Sequence, residues 1–407
     1  MERNKIREQL TLKPVSLKYI DQFNELLRYV FQVTNSELEE SGYEDGEIIK
    51  AKRPILQNAE VFGWFNKDQL VSQICIYPCQ VNIHGKIFQM GGITGVGTYP
   101  EYTNMGLMSD LIRRSLEKMK ESQQLVSYLY PYSIPYYRRK GWEIMSDHIT
   151  FKIKDTQIPD YNKIKGFVER EDVDHPDVLK VYDQFAHSNH GALVRSQLEW
   201  EEYWRWDNEE ERIAAIYYNM KGEPTGFMFY WISDDIFHIM DMVYLNQEAR
   251  KGLWNFVKAH DSMIDEVQGH IYKNETLAFL LDDSQITETI EPYFMARIVD
   301  VEDFLLEYPF RELKTIKPFH FVISDPLAKW NEGVFSIYAN KKGKVQVSRE
   351  KRGKPVTIDI QTLTCMLLSY RRPYYLHKIE RLKTDSETLG YLQRIIPNEQ
   401  PYFGDYF

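Results

Sequence analysis

Cysteine is scarce in this sequence, and this limits the kinds of site it can form. Cys75, Cys79 and Cys365 lack the paired spacing and nearby histidines of a zinc or redox site. We expect buried, reduced thiols and no metal cofactor. Long apolar runs are also missing: no stretch approaches the roughly 18 residues that span a bilayer, and the N-terminus lacks the apolar core of a signal peptide. The sequence therefore predicts a cytoplasmic protein with no membrane partner.

An excess of positive charge is absent as well. The 50 lysines and arginines are outnumbered by 60 aspartates and glutamates, which gives a net charge of −10. Nucleic-acid binding needs a clustered cationic surface that displaces counterions from phosphates, so we expect no nucleic-acid partner. The acidic balance favours a cationic small molecule or peptide, although an ordinary acidic protein without a charged substrate fits equally well.

The chain does contain enough apolar material for several folded domains. Its 407 residues are 43% hydrophobic and include 28 tyrosines, and single hydrophobic cores stop growing well below this length. We therefore predict three domains.

The N-terminal third has the pattern of a mixed α/β domain. Apolar residues at three- and four-residue spacing predict one helix from Leu10 to about Phe31. Asn35 to Lys52 is acidic and predicts a solvated loop, or alternatively an acidic lip over a cationic substrate. The remaining predicted elements are an antiparallel meander at Val61–Phe65, Leu70–Tyr77, Val81–Ile83 and Ile87–Met90, a loop leading to a helix at Leu107–Lys120, and strands at Leu125–Tyr130 and Ile149–Ile153.

A second cycle of elements follows the first in the same order. It comprises a helix at Pro176–His187, strands at Ile213–Tyr218, Gly226–Ile232 and Phe237–Tyr244, and a helix after Asn246. Beyond Pro292 the pattern predicts a separate α+β region, with strands at His320–Ile323, Val334–Ala339, Lys344–Ser348 and Val356–Ile360 and a terminal helix near Thr362–Ser369.

The connection between the meander and the Leu107 helix carries the first functional signal. A loop that enters a helix presents unpaired backbone N–H groups, with the positive end of the helix dipole behind them, and such a loop binds phosphates. In Thr103-Asn104-Met105-Gly106-Leu107-Met108, Gly106 lets the backbone approach a pyrophosphate closely. An ordinary turn explains the same residues when they are taken alone.

A second segment, Tyr136-Tyr137-Arg138-Arg139-Lys140-Gly141-Trp142, makes the pattern specific. Together the two segments resemble the GNAT superfamily of N-acetyltransferases, whose acetyl-CoA loop reads Gln/Arg-x-x-Gly-x-Gly/Ala and whose later tyrosine precedes a glycine and an aromatic residue. Gly106 matches the loop glycine. Thr103 stands where the family usually has Gln or Arg, and Met108 stands where it prefers a small residue.

Three further stretches resemble the enhanced intracellular survival (Eis) family: Gly91–Leu107, Tyr130–Tyr137 and Ala296–Glu302. This resemblance implies a catalytic GNAT domain at residues 1–154 and a degenerate GNAT-like domain at residues 155–292. It also implies a sterol-carrier-protein-like α+β domain at residues 293–407 and a homo-hexamer. Asn246–Trp254 looks like a lost copy of the cofactor loop, because Glu248 would repel a pyrophosphate.

The resemblance also implies roles for particular residues. Acetyl transfer to an amine needs a proton for the departing thiolate and stabilisation of the oxyanion. Tyr137 is the candidate general acid. Alternatively, it has only a structural role and packs as one of the 28 tyrosines. We expect acetyl-CoA to be the co-substrate and to contact the strand Val96-Gly97-Thr98 and the loop residues Thr103, Asn104, Met105, Gly106, Leu107 and Met108.

In the Eis family the C-terminal carboxylate enters the active site, which implies that Phe407 acts as a base. An α-carboxyl with a reference pKa of roughly 3.5 is a poor base unless it is desolvated, so anchoring the substrate ammonium is an alternative role. The implied acceptor is a primary amine of an aminoglycoside, a polyamine or a lysine. The rival interpretation is a non-catalytic protein that binds an apolar ligand in its sterol-carrier-like domain.

Overall fold

A computed structural model describes residues 2–33, 53–54, 56–161, 164–205, 212–271, 277–311, 317–340 and 344–407. The acidic stretch from Asn35 to Lys52 lies outside these ranges. The chain forms two compact units. The first contains Met1–Met145, Phe294–Glu399 and Tyr406–Phe407, and the second contains Ser146–Tyr293 and Gln400–Asp405.

The first unit begins with a short helix, a strand and a longer helix. These are α1 (Glu2–Gln9), β1 (Leu10–Pro14) and α2 (Ile20–Phe31). The prediction of one helix from Leu10 was therefore wrong in its first part. Leu10 and Leu12 alternate with polar residues, which is the period of a strand, and Pro14 cannot donate a helical hydrogen bond.

The predicted antiparallel meander is confirmed in β2 (Glu60–Asn66), β3 (Gln69–Ile83) and β4 (Lys86–Thr98). Two predicted strands merge into the single strand β3, which continues through Pro78. Proline is tolerated there because β2 pairs with β3 only as far as Ile76. Pro78 therefore lies where, among the described residues, β3 has no strand partner on that edge and no N–H donor is needed.

The predicted strand, loop and helix follow. The helix is α3 (Leu107–Glu121), and after it come β5 (Val126–Leu129), α4 (Ile134–Arg138) and β6 (Glu143–Ile144). β5 pairs in parallel with β4. The apolar face of α3 packs on this sheet through the buried side chains of Leu111, Ile112, Leu116 and Met119.

The second unit contains its own sheet. Its strands are β7 (Asp147–Lys154), β8 (Phe167–Glu171), β9 (Ile213–Tyr218), β10 (Pro224–Ser233), β11 (Ile236–Tyr244), β12 (Glu266–Ile271) and β13 (Thr287–Pro292), in the order β13-β7-β12-β11-β10-β9-β8. Its helices are α5 (Pro176–Ser188), α6 (Gln197–Arg205) and α7 (Gln247–Lys258). The predicted helices at Pro176 and after Asn246 are confirmed. The predicted strand at Ile149–Ile153 lies within β7 and so belongs to this sheet, not to the first.

The remaining elements belong to the first unit. β14 (Met295–Ile298) inserts between β5 and β6 and completes the sheet order β1-β2-β3-β4-β5-β14-β6. A third sheet has the order β17-β16-β15-β18-β19, formed by β15 (Phe319–Ser324), β16 (Gly333–Ala339), β17 (Val345–Ser348), β18 (Lys354–Asp359) and β19 (Leu382–Lys383). The helices are α8 (Val301–Glu307), α9 (Ile360–Leu367), α10 (Pro373–Lys378) and α11 (Ser386–Ile395).

The helix predicted near Thr362 is confirmed as α9, but it is not terminal, because α10 and α11 follow it. The three cysteines are buried, as predicted, and none of them forms a disulfide bond. Within the described ranges, none of the helices is both long and apolar enough to cross a bilayer.

Candidate active site

The loop between β4 and α3 is held by its side chains and leaves its backbone available. Asn104 and Gly106 adopt φ angles of 61° and 78°, in the left-handed region. Met105 and Leu107 point inward and are buried in an apolar cluster with Leu10 and Val71. These two side chains therefore anchor the loop, so only their backbone groups face a ligand.

The N-terminus of α3 lacks a side-chain cap. Gly106 occupies the N-cap position, and no side chain accepts a hydrogen bond there. Within the described residues, the backbone N–H groups of Leu107, Met108 and Ser109 have no acceptor. Free N–H groups at the positive end of a 15-residue helix form a suitable site for a phosphate.

The equivalent helix of the second unit is closed to an anion. At the N-terminus of α7, the side chain of Asn246 accepts a hydrogen bond from the backbone N–H of Ala249 at 2.9 Å. Glu248 adds a negative charge in the first turn. The second copy thus satisfies with its own side chain one N–H group of the kind that α3 leaves available, which gives a physical basis to the sequence prediction that its cofactor loop is degenerate.

Cationic side chains surround the start of α3. The Nη1 atom of Arg7 lies 3.2 Å from the position that a Cβ on residue 106 would occupy, and Nη2 forms an ion pair with Asp110 at 2.6 Å. Lys140 donates to the hydroxyl of Ser109 at 2.7 Å. Burial, together with nearby Arg113 and Arg139, lowers the pKa of Lys140 below its usual value.

Sequence reasoning did not find Arg7 or Lys140 as part of this site. Arg7 lies 103 residues before Asp110, and Lys140 lies 31 residues after Ser109, so no local spacing indicates either contact. These two side chains supply positive charge near the loop in which Thr103 replaces the family's usual Gln or Arg. The Thr103 hydroxyl donates to the carbonyl of Pro100 at 2.7 Å and closes the turn.

β4 and β5 stop pairing partway along β4. The parallel pairing runs from Met90 opposite Val126 to Ile93 opposite Leu129, whereas β4 continues to Thr98. Beyond Ile93, the edge of β4 that faces β5 has no strand partner within the described residues. The predicted contact strand, residues 96–98, lies on this open edge.

The side chains of that strand are already engaged. Val96 packs against the α3 side of the sheet, and the Thr98 hydroxyl is 2.6 Å from that of Ser72. A Cβ on Gly97 would lie 3.3 Å from side-chain atoms of Leu26 and Val30. The absence of a side chain at Gly97 therefore lets α2 pack closely against β4. The open edge of β4 can offer a ligand only its backbone groups.

Tyr137 lies on α4 in the apolar core beneath α3. Its side chain is buried with Ile93 and Leu111, and its ring makes an edge contact with Trp142 at a centroid distance of 6.3 Å. Burial raises the pKa of Tyr137 well above its usual value. The phenol therefore remains a proton donor at neutral pH. Across the described parts of the chain, no protein group forms a hydrogen bond with the Tyr137 hydroxyl, so that group is available to a ligand.

The C-terminal residue docks on the first sheet. A Cβ on Gly92 would lie 2.7 Å from the Phe407 ring, which also packs against Tyr77 and Phe294 at centroid distances of 6.4 and 5.2 Å. Tyr406 contacts Tyr130 at 5.3 Å. This glycine, Gly92, therefore provides the space that the terminal ring occupies.

Tyr137 and Phe407 lie on opposite faces of the first sheet. A Cβ on Gly91 would meet Met119 of α3, on the face where Tyr137 packs, whereas Gly92 faces Phe407. Consecutive strand residues point to opposite faces, which explains the difference. The phenol and the tail therefore lie on the two sides of the sheet, next to the last residues of β4 that pair with β5, Gly92 and Ile93.

The segment that precedes the terminal residues is bound within the second unit. Asp405 accepts hydrogen bonds from the Tyr182 hydroxyl at 2.8 Å and from Nε of Arg195 at 2.6 Å. Both members of the ion pair are buried, with side-chain exposures of 2% for Arg195 and 5% for Asp405. The backbone N–H of Tyr402 donates to the carbonyl of His190 at 2.8 Å. These contacts hold Tyr402 and Asp405 to the second unit.

Comparison with known proteins identifies the domains. Family models described as acetyltransferase (GNAT) domains match residues 11–145 and 191–298, and a sterol carrier protein domain model matches residues 301–404. No curated protein sequence gave a significant match.

Solved structures of similar architecture cover nearly the whole chain. A probable N-acyltransferase from Enterococcus faecalis V583 is 27% identical with a TM-score of 0.86, and the alignment covers 98% of this chain and 99% of that one. A GCN5-related N-acetyltransferase from Anabaena variabilis ATCC 29413 shares 24% identity and a TM-score of 0.83, with coverage of 98% and 100%. Eis1 from Mycobacterium abscessus shares 17% identity and a TM-score of 0.79, again with coverage of 98% and 100%.

The matched domains identify an acyltransferase with two GNAT domains and a C-terminal sterol-carrier-like domain. GNAT domains in general use acetyl-CoA as co-substrate. The chain belongs to the GNAT superfamily of acetyltransferases, and its architecture is Eis-like, as the sequence predicted. The residue limits assigned to the three domains stay a prediction.

Proposed function

We propose that this protein transfers an acetyl group from acetyl-CoA to a primary amine of a cationic acceptor. The observation that carries the proposal is the uncapped N-terminus of α3 beside the unpaired edge of β4. A pyrophosphate and a thioester need these two kinds of backbone site, free N–H donors at a helix start and an open strand edge. Within the described residues, only the first GNAT domain offers both together, since Asn246 caps the equivalent helix of the second.

Coenzyme A fits this site through groups of the first unit. Its pyrophosphate would accept hydrogen bonds from the loop and helix N–H groups of residues 104–109, with Arg7 and Lys140 adding positive charge. The thioester would lie along residues 96–98 of β4, whose backbone N–H groups stabilise the oxyanion. Met105 and Leu107 contribute only backbone groups, because their side chains are buried.

The reaction forms one bond and breaks another. The neutral amine attacks the thioester carbonyl carbon, the C–N bond forms, and the carbonyl oxygen becomes an oxyanion. The C–S bond then breaks, and the sulfur receives the proton of the Tyr137 hydroxyl. Because burial raises the pKa of Tyr137, complete transfer to a thiolate with a reference pKa near 8.5 is uphill. A hydrogen bond to the developing thiolate is therefore the larger part of its contribution.

The nitrogen must also lose a proton. The Phe407 carboxylate accepts it, directly or through water, or else it anchors the incoming ammonium group and solvent takes the proton. The docked ring of Phe407 supports either role, since it restricts the carboxylate to the face of the sheet near Gly92. By resemblance the acceptor is an aminoglycoside, a polyamine or a lysine, and the assembly is a hexamer; light scattering tests the latter.

Acetyl-CoA turnover, followed as thiol release, tests the proposal against aminoglycosides, polyamines and lysine peptides. We expect amine-dependent release by the wild type, a loss of about 100-fold or more in kcat for Tyr137→Phe, and an unchanged KM for acetyl-CoA. A chain extended beyond Phe407 would lose activity if the carboxylate acts in the site. Absence of both thiol release and acetyl-CoA binding would contradict the proposal and favour a ligand-binding role for the sterol-carrier-like domain.

A further inference from the structure

The stretch Ala296–Glu302 contains a buried cation that the proposed chemistry does not use. Arg297 on β14 is 0% exposed, and so is its ion-pair partner Asp325. The carboxylate of Asp325 also accepts hydrogen bonds from the backbone N–H groups of Leu327 at 3.1 Å and Ala328 at 3.0 Å. A charge pair taken fully out of water is costly, so these contacts are needed to hold it.

The Arg297 guanidinium binds the turn that follows Tyr137. It donates a hydrogen bond to the carbonyl of Lys140. Gly141 adopts a φ of 95°, and a Cβ there would collide with Nη1 of Arg297. The chain therefore wraps around the guanidinium, which explains the glycine in the Tyr137 segment.

Two more side chains bind the same turn. Nε2 of Gln361 on α9 donates to the carbonyl of Arg138 at 2.8 Å. Arg381 forms an ion pair with Glu143 at 2.8 Å, and Arg138 forms another with the same carboxylate at 2.8 Å. Asp325, Gln361 and Arg381 all belong to the region matched by the sterol carrier protein domain. Gln361 and Arg381 thus contact residues 138–143 directly, and Asp325 acts on them through Arg297.

The held turn fixes Tyr137 directly. The backbone N–H groups of Lys140 and Trp142 donate to the carbonyl of Tyr137 at 2.9 and 3.1 Å. Trp142 contacts the Tyr137 ring on one side and lies 5.3 Å from the Arg297 guanidinium on another. Displacement of the turn would therefore move the phenol.

We propose that the sterol-carrier-like domain positions the catalytic tyrosine, with Gln361 and Arg381 as positioning residues and with Asp325 acting through Arg297 of β14. The inference rests on the proposed function of Tyr137. A proton donor must stay within a fraction of an ångström of its productive place, and a shift of about 1 Å from a remote change can cost about 100-fold in rate. This assigns to the third domain a role in the rate of acetyl transfer that needs no lipid ligand.

Arg381→Gln and Gln361→Ala test the inference in the full-length protein. Glu143 keeps its ion pair with Arg138 in the first variant, and the second removes one hydrogen bond, so both should fold. The matched control is Arg349→Gln, because Arg349 pairs with Glu302 at 3.3 Å and binds the Trp330 carbonyl at 2.7 Å away from the turn. Each is made in the wild type and in Tyr137→Phe.

We expect each positioning variant to lower kcat about tenfold with an unchanged KM for acetyl-CoA, and to have no further effect in Tyr137→Phe. The control should leave kcat unchanged. Equal losses in the two backgrounds, or a loss no larger than that of the control, would contradict the inference and leave Tyr137 in its proposed role. If Tyr137→Phe alone retains full activity, the proposed role of Tyr137 fails first, and the inference fails with it.

Discussion

Gly106 is the residue on which the proposed cofactor site most depends. Its φ of 78° lies in the left-handed region, which a side chain disfavours by about 1 kcal/mol, and its open side faces the Arg7 guanidinium. Alanine there would both strain the loop and crowd the place where a phosphate meets the helix.

We therefore predict that Gly106→Ala raises the KM for acetyl-CoA about tenfold or more and lowers stability by about 1 kcal/mol. Gly85→Ala is the matched control, because Gly85 has a φ of 85° at the far end of β4 and no atom within 4 Å of its Cβ position. It should cost similar stability and leave the KM unchanged. Steady-state kinetics measure the KM of each variant, and thermal unfolding measures its stability. An equal KM for the two variants would contradict the role of the Gly106 loop in binding acetyl-CoA.

The sequence predicted the site residues that stand in short local motifs and missed those that act through contacts distant in the chain. Gly106 and Tyr137 stand in short patterns with fixed spacing, so a single sequence is enough to single them out. Arg7 and Arg297 act through contacts with residues more than 100 positions away. No periodicity or motif links such residues, and only the folded chain brings them together.

Among the elements, β4 has two faces that contact different parts of the protein, α3 on one side and Phe407 on the other. Gly92→Ala should displace the Phe407 ring, since the new Cβ would lie 2.7 Å from it. We predict a fall of about tenfold or more in kcat with little change in the KM for acetyl-CoA. Thiol-release kinetics at saturating acetyl-CoA measure the effect.

Gly91→Ala is the matched control for this prediction. It introduces an equally close contact, 2.7 Å, but with the flexible side chain of Met119 on the opposite face. We expect a change in stability without a specific loss of kcat. The same loss of kcat in both variants would show that the loss comes from a disturbance of β4 and not from displacement of Phe407.

The tail segment of the second unit makes a separate prediction. Asp405→Ala removes one member of an ion pair whose side chains are only 2% and 5% exposed, and breaking a buried pair in this way costs about 3–5 kcal/mol. Lys317→Ala breaks a pair with side-chain exposures of 74% and 75% and should cost about 1 kcal/mol or less. Chemical denaturation measures both free energies of unfolding; similar values would contradict the importance of the buried pair.

Element prediction succeeded where the pattern was long and failed where a short strand needed a distant partner. α3 and α7 have a well-defined apolar face and were placed within a few residues. β1 has only five residues and lies close to a true helix, so its alternation of apolar and polar residues could not be told apart from the helical pattern. β14 pairs with β5 and β6, more than 150 positions earlier, and nothing in its own residues specifies that pairing.

At the scale of the whole molecule, the two GNAT domains share a fold but differ at one helix start. In the described parts of the chain, the first N–H groups of α3 have no acceptor, and the α7 N-terminus uses Asn246 to satisfy one of its own. A capped helix is more stable but cannot offer that donor to a phosphate. The start of α3 is therefore better suited to binding a phosphate than the start of α7.

The buried tyrosines predict how the whole protein responds to alkali. Burial raises the pKa of Tyr182, Tyr308 and Tyr402 well above the usual value. The unfolded chain therefore loses these protons near pH 10 while the folded chain keeps them. Their contribution to stability is complete below about pH 10 and is lost as the pH rises further. Thermal unfolding followed by circular dichroism should show a Tm that falls above about pH 10; a Tm that is constant to pH 11 would contradict this assignment.

The central claim is that this protein moves an acetyl group from acetyl-CoA to an amine. Mass spectrometry of the acceptor after incubation with acetyl-CoA and the wild-type protein tests it most directly. We predict that the amine gains the mass of one acetyl group or more, and that Tyr137→Phe forms this product far more slowly under the same conditions. Acceptors that all keep their mass while acetyl-CoA remains intact would contradict it.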